Sequence, residues 1–263
     1  MSYTPKQLYI KEPKQKIILG SKYPTFSLIY KQAFIGIWGS STKYQSLDFG
    51  INQKFNVGIF CFNFSKISGI ARFGLLEKIQ KDRSGLPKSV LVEYRNVLKR
   101  IDSICYAASI NGVSVMIDAE ESWIQDTIDH IADLMMKRYN QERVVVYNTF
   151  QMYRHDRLKF LTNSFDKAQE QNYLLGAKLV RGAYMEKERD RAQTMGYPSP
   201  IQPDKLATDR DFNAGVEFCV NHIDRIGLVA DSHNEESNYH LAKLMEAKGL
   251  PKNHAHVYFS QLL

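Results

Sequence analysis

"AKLVRGAYMEKERDRA", residues 177–192, starts as an apolar strand and finishes as a solvated helix. Its apolar half carries Lys178, and Arg181 stands where the strand gives way to Gly182 and Ala183. Full charges in and beside a strand meant for burial are costly unless they are paired or put to use. Two features decide the fold: whether this strand-to-helix pattern recurs, and where each strand keeps its polar residues.

It recurs. Apolar, β-branched runs lie at 57–67, 113–119, 144–151, 175–183, 226–233 and 256–263. Between them run amphipathic stretches of helical period, such as 90–108 and 122–140. Strand and helix in alternation, with nearly continuous apolar strands, predict a parallel sheet covered by helices. Polar groups gather at the C-terminal edge of these strands: Lys66; Asp118 and Glu120; Asn148 and Gln151; Arg181; Ser232, His233 and Asn234; Ser260 and Gln261. An open doubly wound sheet would concentrate ligand chemistry at one switch point, whereas a barrel assembles its site from all its βα loops. No Gly-rich phosphate loop follows the first strand, which counts against a dinucleotide-binding sheet. The expected fold is α/β, a distorted TIM-type (βα)8 barrel, incomplete, with about six of its eight strands readable over 57–263.

The 263 residues hold 35 basic and 28 acidic side chains. Eight of the lysines fall in residues 1–56 against only Glu12 and Asp48, leaving 27 basic and 26 acidic residues to the rest. The basicity thus belongs to the N-terminal segment, and the nearly neutral body argues against nucleic acid as a partner. Residues 1–56 are expected to form a basic, aromatic-containing arm, loosely packed or partly disordered, with one amphipathic piece over 28–38. Cys61, Cys105 and Cys219 lie far apart without metal or redox spacing and read as reduced, mostly buried thiols. No apolar run approaches the roughly 20 residues that span a bilayer, and the first residues lack the apolar core of a signal peptide. A cytoplasmic protein, at most peripheral to a membrane, is the expectation.

Strand alternation filters the candidate chemistry, because residues two apart share a face. Asp118 and Glu120 share a face with Met116, Gln151 with Tyr147 and Thr149, and Lys178 with Val180 and Gly182. Arg181 then points to the opposite face if the strand stays regular, while a break before it, which Gly182 and Ala183 make plausible, would turn both cations inward. Lys66, Asp118 and Lys178 converge from three strand ends, as a charge cluster holding the barrel mouth or as an anion- or cofactor-lined site. Glu186, Glu188, Arg189 and Arg191 read as a solvated first helical turn. His254 and His256 have metal-like spacing without an acid or cysteine to complete a site, and no Gly-x-Ser-x-Gly elbow is present.

Six segments carry a resemblance: "KISGIARFGLLEKI" (66–79), "GVSVMIDAEESWIQDTID" (112–129), "YNTFQMYR" (147–154), "KLVRGAYMEKERDRAQTMGYPSPIQPDKLATD" (178–209), "DSHN" (231–234) and "YFSQLL" (258–263). In order and spacing they closely resemble the proline dehydrogenase family in its monofunctional form. The resemblance implies a distorted (βα)8 barrel that binds FAD at its C-terminal face, oxidises L-proline to Δ1-pyrroline-5-carboxylate and passes electrons to a membrane quinone. Hydroxyproline is the alternative substrate. Carried over, Lys66 and Tyr184 lie near the substrate and Asp118 is the active-site aspartate. Ala119 lies next to the flavin, Gln151 bonds its isoalloxazine ring, and Lys178 takes the basic position near N5. Arg181, Gly182 and Ala183 match the stretch that binds the FAD phosphates and ribityl chain. Thr208, Ser232, His233 and Asn234 match further cofactor contacts.

The sequence departs from the family pattern at both ends. The family's C-terminal helix, whose tyrosine and paired arginines clamp the proline carboxylate, does not appear before Leu263, and residues 1–56 do not show the usual first strand. The isolated chain is therefore expected to oxidise proline weakly or not at all. A Schiff-base lyase using Lys66 or Lys178, and a non-catalytic barrel fragment, are the alternatives from other classes.

Overall fold

The computed structural model describes residues 62–82 and 84–261, together with five N-terminal strands, and side chains from Lys66 onward. The chain divides into two compact units, Met1–Phe60 and Cys61–Leu263. In the first, strands β1 (Ser2–Tyr3), β4 (Thr25–Ala33) and β5 (Tyr44–Asn52) form an antiparallel sheet in the order β1-β4-β5, and β2 (Leu8–Lys11) pairs antiparallel with β3 (Lys16–Gly20). Residues 28–33 of the amphipathic piece thus lie in a strand, held along its length by β5, and not in a helix. The rest of that piece, residues 57–61 of the first expected barrel strand, and with them Cys61, lie outside the described residues.

The second unit repeats strand and helix. Its strands are β6 (Phe62–Ser65), β7 (Ser114–Ile117), β8 (Val146–Gln151), β9 (Leu175–Val180), β10 (Ile226–Asp231) and β11 (Val257–Ser260). The helices are α1 (Phe73–Lys81), α2 (Lys88–Asn111), α3 (Ser122–Tyr139), α4 (Arg157–Glu170), α5 (Met185–Met195), α6 (Lys205–Asn221) and α7 (Glu235–Ala247). All six strands are parallel and stand side by side in chain order, β6 to β11. No strand skips a neighbour, so the sheet has no switch point, and this is the winding of a (βα) barrel. Each of the six expected strands is present.

The two faces of the sheet bury different things. Val115, Ile117, Val146, Phe150, Leu175, Ala177, Leu179, Leu228 and Ala230 alternate outward into one large core against the helices. Met116, Tyr147 and Val229 turn inward and form a second, smaller cluster with Val144, Leu174 and Tyr258. Tyr147 fills the inner floor because its neighbours have no side chains. A Cβ on Gly227 would stand 2.9 Å from the Tyr147 hydroxyl, and one on Gly176 would stand 2.1 Å from the Val146 carbonyl oxygen. Above this apolar floor the inward positions turn polar toward the strands' C-terminal ends: Thr149 and Gln151 on β8, Lys178 on β9 and Asp231 on β10. In register, Lys178 lies between Thr149 and Val229. One sheet thus carries a dry base and a polar mouth.

Candidate active site

Lys178 is buried, with 2% of its surface exposed. Its ammonium donates to Asp118 Oδ1 at 3.2 Å and lies 3.1 Å from Asp231 Oδ2. A lysine can be withdrawn from water at a strand end only with such partners. Asp118, just beyond β7, is half-buried, and Ala119 beside it is buried.

A second knot ties the loops after β6 and β7 together. The Glu120 carboxylate accepts from the backbone N–H of Ser68 at 2.9 Å and from its hydroxyl. The Glu120 N–H donates to Gln125 Oε1 at 2.7 Å, and Gln151 Nε2 donates to the Glu120 carbonyl at 2.8 Å. Lys66 caps the short 3-10 turn Ile67–Gly69 that holds Ser68. The Tyr184 hydroxyl, above all by charge and hydrogen bonding, holds the Lys66 ammonium's pKa above its ordinary value; Glu120 and Asp118 add to this against slight desolvation. Lys66, Asp118, Gln151, Lys178 and Tyr184 therefore gather at one mouth.

The remaining expected residues form a separate group on the outer rim. Arg181 follows the end of β9 and points outward, as alternation predicts. Its Nε donates to Asp209 Oδ1 at 2.7 Å, Nη1 to Ser232 Oγ at 2.5 Å and Nη2 to Ser237 Oγ at 2.9 Å, while its guanidinium lies 4.4 Å from the Phe212 ring. It thus braces α6 against the start of α7. Asn234 caps α7, its side chain accepting from Ser237 N at 3.0 Å. Thr208, buried in the first turn of α6, donates back to the Asp204 carbonyl at 3.2 Å, and His233 is exposed. Gly182 and Ala183, both exposed, join rim to mouth. Gly182 has φ 133°, a left-handed value open to glycine, and a Cβ there would strike the Tyr153 ring at 2.5 Å.

The solvated reading of the α5 start is corrected at Glu188. It is fully buried, and its carboxylate accepts from the N–H and the hydroxyl of Ser122, both at 2.6 Å. The reason is helix-end chemistry: α3 begins with unpaired N–H groups, and a carboxylate from a neighbouring helix satisfies one of them. Arg191 likewise packs on Trp123, 4.2 Å from its ring, and pairs with Glu77 at 2.8 Å. Glu120, placed on the inward face by alternation, proves to be a site residue, whereas Asp231 escaped selection from the sequence. Asp231 continues the inward alternation 227-229-231, and that signal could have found it. His254 and His256 stand against each other, ring centres 5.8 Å apart, and no group of three potential metal ligands exists among the described residues.

The strand ends of the (βα) unit thus carry a buried cation among carboxylates inside and an arginine-clamped helix start outside, the face on which (βα) barrels assemble their sites. The sequence model of the family described as proline dehydrogenase matches residues 32–263, and the chain belongs to that family. It is 34% identical over 190 residues to the mitochondrial proline dehydrogenase 1 of Drosophila melanogaster, covering 68% of this chain and 28% of that protein. To the hydroxyproline dehydrogenase of Xenopus laevis it is 36% identical over 173 residues, 64% of this chain and 37% of that one. The chain thus spans about a third of the length of these relatives. Among solved structures, proline utilization A from Bdellovibrio bacteriovorus, inactivated by N-propargylglycine, superposes with a TM-score of 0.65 at 17% identity, over 76% of this chain and 20% of that one. A Bradyrhizobium japonicum proline utilization A variant gives 0.62 at 17% identity, over 76% and 19%. Those likenesses concern the fold.

Proposed function

We propose that the strand ends of β6–β11 form the FAD- and substrate-binding mouth of a proline dehydrogenase, acting on L-proline or hydroxyproline. The observation that carries this reading is Lys178, a buried ammonium fixed at the inner mouth by carboxylates.

The residues fit the cofactor in kind. A flavin needs a cation and amide groups at its ring and donors at its phosphates. Lys178 and Gln151, with Ala119 alongside, would meet the ring. Arg181 spends three of its five N–H groups on Asp209, Ser232 and Ser237, and the other two suit a phosphate beside the start of α7. Gly182 and Ala183 would let backbone run close to the ribityl chain, and Thr208, Ser232, His233 and Asn234 would complete that side. FAD, when bound, supplies an acceptor for the hydride leaving the substrate ring. Asp118 holds Lys178 in place, and Lys66 and Tyr184 would orient the substrate beside it. A Schiff-base role would require Lys178 to surrender both ion pairs before its amine could attack a carbonyl.

A quinone as electron acceptor and attachment to a membrane surface belong to the same proposal; no helix among the described residues is long and apolar enough to cross a membrane. The test is titration of the purified chain with FAD, followed by flavin fluorescence, then addition of proline and a dye acceptor. Saturable FAD binding weakened by Lys178→Met and Arg181→Ala is expected. A chain that leaves FAD free at micromolar concentrations would sink the reading.

A further inference from the structure

Lys178 has two carboxylates, and they are not equivalent. Asp118 comes from beyond β7, two strands away, and its side chain is 21% exposed. Asp231 ends β10, the strand hydrogen-bonded to β9, and its side chain is 4% exposed. Attraction between unit charges grows as the surrounding dielectric falls, and water screens an exposed partner far more than a buried one. Asp231 Oδ2 is buried and accepts no hydrogen bond from the described residues, although the Lys178 Nζ stands 3.1 Å from it. Its hold on Lys178 is therefore one of charge.

We infer that Asp231 is the principal counterion of Lys178 and its positioning residue, fixing where the ammonium sits at the mouth. The second carboxylate also offsets part of the positive potential that Lys178 brings to the mouth, and so opposes the build-up of anionic charge on a neighbouring ring. That last consequence rests on the FAD reading above; the pairing does not.

The experiment has two arms. In the FAD-free chain, thermal unfolding midpoints are compared for wild type, Asp231→Asn, Asp118→Asn, Lys178→Met and Asp231→Asn/Lys178→Met. Asp231→Asn, nearly isosteric, should lower the midpoint more than Asp118→Asn does. In the Lys178→Met background the same change should raise it, because it removes a buried charge that has lost its partner. Additive effects, or a larger loss for Asp118→Asn, would overturn the proposal. In the FAD-loaded chain, the midpoint potential of the flavin should become more positive in Asp231→Asn; an unmoved potential would reduce Asp231 to a structural counterion and overturn its positioning role. A wild type that fails to bind FAD while the unfolding cycle changes sign would sink the FAD reading alone and leave the counterion pair standing.

Discussion

Glu188 of α5 closes the start of α3: its carboxylate takes both the N–H and the hydroxyl of Ser122, each at 2.6 Å, from a fully buried position. Two helices that follow different strands are thus joined by one side chain, beside the loop that carries Asp118. Replacing Glu188 with alanine orphans two part-buried donors of Ser122 at a helix start and should cost about 2 kcal/mol. Urea unfolding measures it; a loss below about 0.5 kcal/mol, the size of an ordinary surface substitution, would contradict the buried cap.

Gly176 is fixed by backbone contact. A methyl group there meets the Val146 carbonyl oxygen at 2.1 Å and the Tyr147 Cα at 2.9 Å, and neither can rotate away. Gly176→Ala should force β8 and β9 apart and cost about 3 kcal/mol or more. Denaturant unfolding and soluble yield report it, and a wild-type midpoint would show that the strands can yield.

Asp156 predicts how the fold responds to acid. Burial alone would raise its carboxyl pKa, but hydrogen bonds and charge from Arg157, then Arg154, outweigh that and hold it far below the usual carboxylate range. A folded pKa below the unfolded one adds stability above the unfolded value, about 4, and loses it as pH falls further. Asp156→Asn should therefore be less stable than wild type at pH 6 and converge on it towards pH 2. Melting curves across that range test the sign; parallel curves would refute it.

Cys105 and Cys219 should resist thiol reagents in the native protein. Burial, with Asp102 adding, pushes the Cys105 thiol up to about 12, and burial raises Cys219 as well. Both stay protonated at pH 8, and only the thiolate attacks. Peptide mapping after exposure to a maleimide should find them unmodified until denaturant is added. Native labelling of either would mean that the outer core opens locally.

The strands were legible because burial on both faces demands continuous apolar runs, and six such runs became β6–β11. Polar residues at their ends marked the mouth, and alternation sent Lys178 inward and Arg181 outward, as found. Glu188 was not legible. In "MEKERDRAQTM" (185–195) only Glu188 and Ala192 are buried, and a charge at the inward position of a helix almost entirely polar looks solvated. Its partner lies 66 residues away and has no local cue. Asp231 was missed for a different reason: within "DSHN" the neighbouring polar residues drew notice, while the inward parity of 227, 229 and 231 singles out the aspartate. The pairing of Thr25–Ala33 with Tyr44–Asn52 depends on contact between strands, which a reading of 28–38 as one amphipathic piece in a loosely packed arm leaves out.

The side-by-side order of β6 to β11 bears on how the molecule is made. Each of these strands after β6 pairs with the one synthesised just before it, so each new ladder closes over a single helical crossover and none waits for a more distant segment. On the ribosome the sheet can lengthen one strand at a time as the chain emerges, each βα unit docking on a finished edge. Lys178 then meets its two counterions at different moments: Asp118 is already in place when β9 docks, and Asp231 arrives with the next strand to lock the ammonium in position.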